Sequence, residues 1–187
     1  MNIYKVLNEQ VFNSGAFSLV PIRFEDRIDI MKWRNEQIYH LRQTKPLTIK
    51  DQDYYFQNTI NKIFDQNQPT QILFSFLENE VCIGYGGLVH VNWKVKNAEI
   101  SFIMNTELEE KRFEEIWSKF LRLIEEVAFL NLELNKIYTH AIDVRPRLYD
   151  AIEKQSFVKE RSFTNLKNDK IIIHSKIKTN WKKIYKH

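Results

Sequence analysis

Two side chains of this chain are of types that could move protons. Glu99 lies in NAEISFIM, residues 97–104, where strand alternation sets it on one face with Ser101 and Ile103, opposite Ala98, Ile100 and Phe102. A carboxylate there can accept a proton, or can simply pair with a neighbour such as Lys96. His90 stands near the end of 81–92, beside Asn92 and Trp93; its pKa range suits proton transfer, and a structural histidine at a strand end is the alternative. A third group has binding rather than proton chemistry. Trp33, Arg34 and Asn35 close the segment 25–36 and Gln52, Tyr54 and Tyr55 fall early in 48–65; if the fold brings them together, stacking rings with a guanidinium suit a nucleotide-linked sugar. Taken singly, Trp33 and Tyr55 read as core and Arg34 as a surface ion pair. Five histidines are scattered and Cys82 is alone, so no metal site is expected. There is no Ser–His–Asp order and no phosphate-binding glycine loop.

The elements that must position these groups are legible from periodicity. Residues 17–23 alternate as a strand, with Pro21 marking an edge or a bulge. Residues 25–36 read as a helix through Ile28, Met31 and Trp33. Thr48-Ile49-Lys50-Asp51 resembles a capping pattern that opens a second helix, 48–65, with Tyr55, Phe56, Ile60, Ile63 and Phe64 on its buried face. Three strands follow, 70–77, 81–92 and 97–104, and their short turns imply an antiparallel meander. Three of the four glycines, Gly84, Gly86 and Gly87, fall in the middle strand, where glycine marks a bulge or a close approach to the backbone. A long amphipathic helix spans 110–130, then a strand 136–142, a helix 146–155 opened by Pro146, and a hairpin, 157–163 and 170–177.

At 187 residues the chain is one domain, with a core over 17–178 and a basic tail, 179–187. Hydrophobic residues at 43% and charged residues at 28% place it in the soluble globular class. No apolar run is long enough to span a membrane, and the N-terminus lacks the basic and apolar regions of a signal peptide, so a reduced, cytoplasmic setting is expected. The net charge of +4 is dispersed apart from Lys178, Lys182, Lys183 and Lys186. That tail reads as a solvated terminus, or as a patch for an anionic partner. Nucleic acid is not expected.

The order β-α-α-β-β-β-α-β-α-β-β resembles the GNAT superfamily of acyl-CoA-dependent N-acyltransferases over residues 17–178. LVPIRFEDRIDIMKWRNEQ is similar to the opening of the subgroup that acetylates ribosomal proteins and nucleotide-linked amino sugars, and AIEKQSF is similar to the family's terminal motif through Glu153, Lys154 and Phe157. The resemblance implies a mixed, mostly antiparallel α/β sheet flanked by helices. Its fourth strand of this count, 97–104, would splay from the next and admit acetyl-CoA or another acyl-CoA. It implies that Phe102, Ile103 and Met104 meet the pantetheine arm, and that Glu99 is the base, acting through water. Tyr149, one turn before the family's tyrosine position at Ile152, would be the acid, with His90 as a second proton-transfer group. Arg145 stands where the family usually has Asn and could reach a phosphate. Trp33, Arg34, Asn35, Tyr55 and Tyr85 would line the acceptor side.

The family's diphosphate turn, Gln/Arg-x-x-Gly-x-Gly/Ala, is degenerate here. Only Arg112 matches; Glu115 and Trp117 fill the small positions, and Trp117 would block the backbone. Thr106-x-x-Glu109 also fits a capping box that would start the helix early. Lys111 and Arg112 are then the side chains left to hold a diphosphate. The expected activity is transfer of an acetyl group to a primary amine, with a nucleotide-linked amino sugar as acceptor. A protein N-terminal acetyltransferase and a GNAT-fold module that no longer binds CoA are the alternatives. The expected partner is a small-molecule amine, with no membrane and with room for a homodimer.

Overall fold

The computed structural model describes residues 2–184, with side chains through residue 181. Eight strands form one sheet in the order β1-β2-β3-β4-β5-β6-β8-β7. They are β1 (Phe12–Ser14), β2 (Phe17–Pro21), β3 (Ile72–Glu78), β4 (Val81–Asn92), β5 (Asn97–Met104), β6 (Lys136–Ile142), β7 (Val158–Thr164) and β8 (Lys170–Ile177). All neighbours are antiparallel except β5 and β6. A parallel pair needs a long crossover, and the helix α3 (Thr106–Glu126) supplies it. Before it come α1 (Arg27–Glu36) and α2 (Ile49–Tyr55), the latter running on through a π turn, Phe56–Ile60, to Asn61–Ile63. After it come α4 (Pro146–Lys154) and α5 (Lys178–Ile184).

The expected mixed sheet and element order are present, with two additions. Packing begins before residue 17: Tyr4, Leu7 and Phe12 are buried, and the Tyr4 hydroxyl donates to the Leu73 carbonyl at 2.7 Å. The basic tail continues as α5, and Trp181 packs on Phe129 with ring centroids 5.6 Å apart. The side chains of Lys182, Lys183 and Lys186 lie outside the described residues.

Local chemistry explains the ends of the helices. Thr48 and Asp51 form the reciprocal capping box read from the sequence. The box expected from Thr106 to Glu109 does not form. Asn105 is the N-cap, its side chain accepting from the Glu107 N–H at 2.9 Å, while the Thr106 hydroxyl donates to Glu36 at 2.6 Å. Helix α3 nonetheless begins at Thr106, before the expected 110, and breaks at Arg112, whose φ of −134° and ψ of 28° are not helical. Beyond the break, Phe113, Ile116, Trp117, Phe120, Leu121 and Ile124 recur at helical spacing and are buried. Phe120 stacks on Phe102 at 3.9 Å, which places α3 on the Phe102 face of the sheet.

The three β4 glycines let neighbouring backbones close in, rather than a ligand. A Cβ on Gly86 would lie 2.2 Å from the Ser101 carbonyl oxygen of β5, and one on Gly87 2.0 Å from that of Ile72 in β3. The opposite face, bearing Ser75, Tyr85 and Glu99, meets α1 through Asp26–Ser75 (2.6 Å) and Arg34–Tyr85 contacts.

Candidate active site

Strands β5 and β6 pair only at Asn97↔Lys136, Ala98↔Ile137 and Glu99↔Tyr138. Each then follows its other neighbour: β5 stays with β4 to Met104, and β6 stays with β8 to Ile142. The sheet therefore splits after Glu99. Ile100–Met104 has no strand partner on that edge among the described residues, and a cavity of about 230 Å³ opens there. It is lined from both faces, by Arg34, Arg42, Glu99 and His140 on one side and Phe102, Trp117 and Leu148 on the other.

Glu99 sits at the point of the split, 8% exposed. Its neighbour is not Lys96. Arg42 Nη2 donates to Glu99 Oε1 at 2.7 Å, while its Nη1 lies 3.0 Å from His90 Nε2. His90 Nε2 is in turn 4.0 Å from Glu99 Oε2. His90 reaches this position because the β4–β5 register slips between Val89 and Asn92, and its φ of 50° is left-handed; such a bulge re-aims a side chain. Burial, and then the Arg42 charge, push the His140 pKa down from its ordinary value.

On the acceptor side the predicted cluster divides. Arg34, Tyr55 and Tyr85 line a second cavity with Asp51 and Gln52, of about 240 Å³, and Arg34 borders both cavities. Arg34 donates to the Tyr85 hydroxyl and, through Nε, to Gln43 at 3.0 Å. Trp33 is 4% exposed and belongs to the core, so it is not a binding wall. Asn35 is occupied with the loop after α1: its amide donates to the Leu47 carbonyl at 2.9 Å and accepts from the Leu47 N–H at 2.7 Å. Its role is to hold the segment that delivers Arg42.

On the donor side, Phe102, Ile103 and Arg145 line the cleft. Met104 does not: its side chain is buried and its carbonyl accepts from Gln37 at 2.7 Å. Lys111 points to solvent. Arg112 is held away by a two-pronged contact with Glu78 (2.8 Å to each oxygen) and by Glu115 (2.8 Å), because it sits at the break in α3 beside the end of β3. Tyr149 is likewise not brought to the cleft. Its hydroxyl is 3.4 Å from the Ile142 carbonyl, its ring stacks on His174 at 5.3 Å, and Ile152 is fully buried. Trp117 packs edge-on against Phe102 at 5.0 Å and lines the cleft.

Sequence reasoning missed Arg42, His40, Thr139 and His140. The first two lie in the polar stretch between α1 and Pro46, which carries no periodicity; its density of basic side chains was the available signal. His40 contacts Arg145 Nη1 at 2.9 Å, and burial first, Arg145 second, push its pKa down from 6.5 to about 3. The unfolded chain binds this proton near pH 6.5 and the folded chain only near 3. Stability from this group is thus complete above 6.5 and is lost at about 1.4 kcal/mol per pH unit as pH falls toward 3. Urea denaturation of His40→Gln between pH 7 and 5 is expected to show a shallower decline than the parent; parallel curves would remove His40 from the acid transition.

The cleft fits the arm of an acyl-CoA. It offers an unpaired strand edge, and Trp117 Nε1, Thr139 Oγ1 and Arg145 Nε are buried around it without a hydrogen-bond partner among the described residues. Such groups are costly unless something binds them.

A split sheet, a carboxylate at the split and cationic groups on the donor side define an acyltransferase that works on an amine. The comparisons agree. Residues 19–184 match the family model described as an acetyltransferase (GNAT) domain, and the chain belongs to that family, the acyl-CoA-dependent N-acetyltransferases whose co-substrate is acetyl-CoA. Among solved structures, it is similar to a spermidine N-acetyltransferase from Vibrio cholerae in complex with CoA and spermine, at 17% identity and a TM-score of 0.76 over 90% of this chain and 99% of that one. A dodecameric form of spermidine N-acetyltransferase from the same organism matches at 19% identity, TM-score 0.71, over 90% and 97%. A putative acetyltransferase matches at 12% identity, TM-score 0.71, over 94% and 90%. No curated protein matches the sequence. Among the described residues no helix is long and apolar enough to cross a membrane.

Proposed function

We propose that the acceptor is a small primary amine carried on a neutral or anionic scaffold, such as a nucleotide-linked amino sugar, and that Glu99 is the general base. The observation that carries this reading is the charge of the cleft. Arg34 and Arg42 line its acceptor side, and Glu99 is the one carboxylate among its described lining residues. A polycation entering this space would meet two guanidiniums; a phosphate-bearing acceptor would be attracted by them.

Acetyl-CoA supplies the acetyl group as a thioester. The rest of the work falls to the side chains. The Arg42 contact fixes the Glu99 carboxylate by one oxygen and leaves Oε2 directed toward His90, free to accept the proton of an incoming ammonium, directly or through water. Tyr55, Tyr85 and Arg34 offer aromatic faces and a guanidinium to the scaffold of the acceptor. Polyamine acetylation is the second reading. It is favoured by the spermine-bound neighbour and by Asp51 at the rim of the second cavity.

Thiol release from acetyl-CoA, followed with a panel of amines, separates the two. A nucleotide-linked amino sugar is expected to exceed spermidine in kcat/KM by at least about tenfold, the effect of one well-placed charged contact. Equal or greater activity with spermidine would reverse the assignment. A chain that releases no thiol and whose melting temperature does not rise at millimolar acetyl-CoA would be a GNAT-fold binding module instead.

A further inference from the structure

The cationic groups beside the cleft are not waiting free. Glu109, in the first turns of α3, is 3% exposed, and its Oε1 is shared by Arg145 Nη2 at 2.9 Å and Arg147 Nη2 at 2.8 Å. Arg147 also donates to the Glu109 carbonyl at 3.2 Å. The arrangement is incomplete. Glu109 Oε2 and Arg145 Nε are both buried with no hydrogen-bond partner among the described residues. One carboxylate oxygen thus serves two guanidiniums while the other serves none. A guanidinium fork is best satisfied by paired oxygens, and a diphosphate offers several.

Position adds to this. Arg145 lines the cleft between β5 and β6, whereas Arg147 lines a groove between α3 and α4 with Phe113, Glu114, Asp150 and Lys154. Glu109 bridges one residue of each space. A cavity of about 230 Å³ is too small for a whole acyl-CoA, so the nucleotide end of a donor lies outside it, and the Arg145–Arg147 pair is at hand there. The segment 106–111 that carries Glu109 ends at the non-helical Arg112, which Glu78 and Glu115 anchor. The segment therefore has a pivot that the rest of α3 does not share.

We propose that Glu109 is an affinity-setting residue for the acyl donor: its carboxylate occupies the Arg145–Arg147 pair in the free enzyme, and the donor's diphosphate binds by displacing it. The inference rests on acetyl-CoA as co-substrate. It gives a physical role to the acidic first turn of α3, ahead of the Arg112–Trp117 stretch that departs from the family's turn. The turn neutralises the pair when no donor is present and swings about Arg112 when one arrives.

Calorimetric titration with CoA and with pantetheine, which lacks the diphosphate, tests this. Glu109→Gln is expected to tighten CoA by roughly tenfold, the worth of one charge-assisted contact, and to leave pantetheine unchanged. A CoA affinity that is unchanged or weaker, or pantetheine tightened equally, overturns the proposal while leaving the donor assignment intact. Binding of neither ligand to either protein overturns the donor assignment and the proposal with it. Because Glu109→Gln leaves the buried Arg145 and the exposed Arg147 less neutralised, a second measurement uses the parent protein. Hydrogen exchange at amides 106–111 is expected to quicken when CoA binds and not when pantetheine binds; unchanged or slower exchange with CoA sinks the displacement.

Discussion

Glu99→Gln is expected to lower kcat by ~10²–10⁴-fold, the usual contribution of a general base, while calorimetry is expected to find acetyl-CoA bound with unchanged affinity. The substitution keeps the shape and the contact with Arg42, since a glutamine oxygen still accepts from Nη2, at 2.7 Å in the parent. What it removes is the ability of Oε2 to accept a proton. The loss therefore falls on kcat and kcat/KM together, the pattern of an interaction made in the transition state only. Raising the pH should recover part of the rate, because a larger fraction of the acceptor amine is then already neutral. Tyr149→Phe is the control: its hydroxyl meets the Ile142 carbonyl rather than the cleft, so turnover should hold. Full activity in Glu99→Gln, or a collapse in Tyr149→Phe, would transfer the proton chemistry to other groups.

Gly87→Ala is expected to destabilise the fold by roughly 3–5 kcal/mol, read as a drop in the urea midpoint at unchanged m-value, or to prevent folding altogether. A methyl group here would lie 2.0 Å from the Ile72 carbonyl oxygen and 3.0 Å from the Leu73 Cα, both backbone atoms of the adjacent strand. Neither can turn aside as a side chain would. The φ of 154° adds strain for any residue with a Cβ. Gly15→Ala separates the two terms. Its φ is 64° but nothing lies within 4 Å of the added methyl, so it carries the backbone cost alone, about 1–2 kcal/mol. If the two substitutions cost the same, close approach of β3 and β4 is not what demands Gly87.

The same comparison explains which parts of the site were legible. The face that Glu99 occupies was legible because strand alternation is strict and NAEISFIM is long enough to display it, while its candidacy as base came from the family resemblance. Arg42 was not, because it lies in a polar loop with no period to read, and only the folding of that loop across the cleft brings it to Glu99. Arg112 kept its sequence neighbour Glu115 but acquired a distant partner in Glu78, which turned an expected phosphate contact into an anchor. Tyr149 shares a helix face with Ile152 as its spacing requires, yet that face packs against the sheet and not the cleft.

By itself, the sequence determined the elements and their order. Periodicity, caps and turn residues act over a few positions, and they mark the meander, the crossover helix and the final hairpin to within a few residues. Their order was enough to reveal the family. Tertiary structure alone decided where the sheet splits, because that depends on β6 staying with β8 while β5 stays with β4. It also decided the fate of the acidic turn. The charges of residues 107–115 were plain to read, but their meaning depended on partners more than thirty positions away, Arg112 with Glu78 and Glu109 with Arg145 and Arg147. Side-chain pairing across such separations leaves no periodic trace in the chain; it exists only once the backbone has brought the partners together.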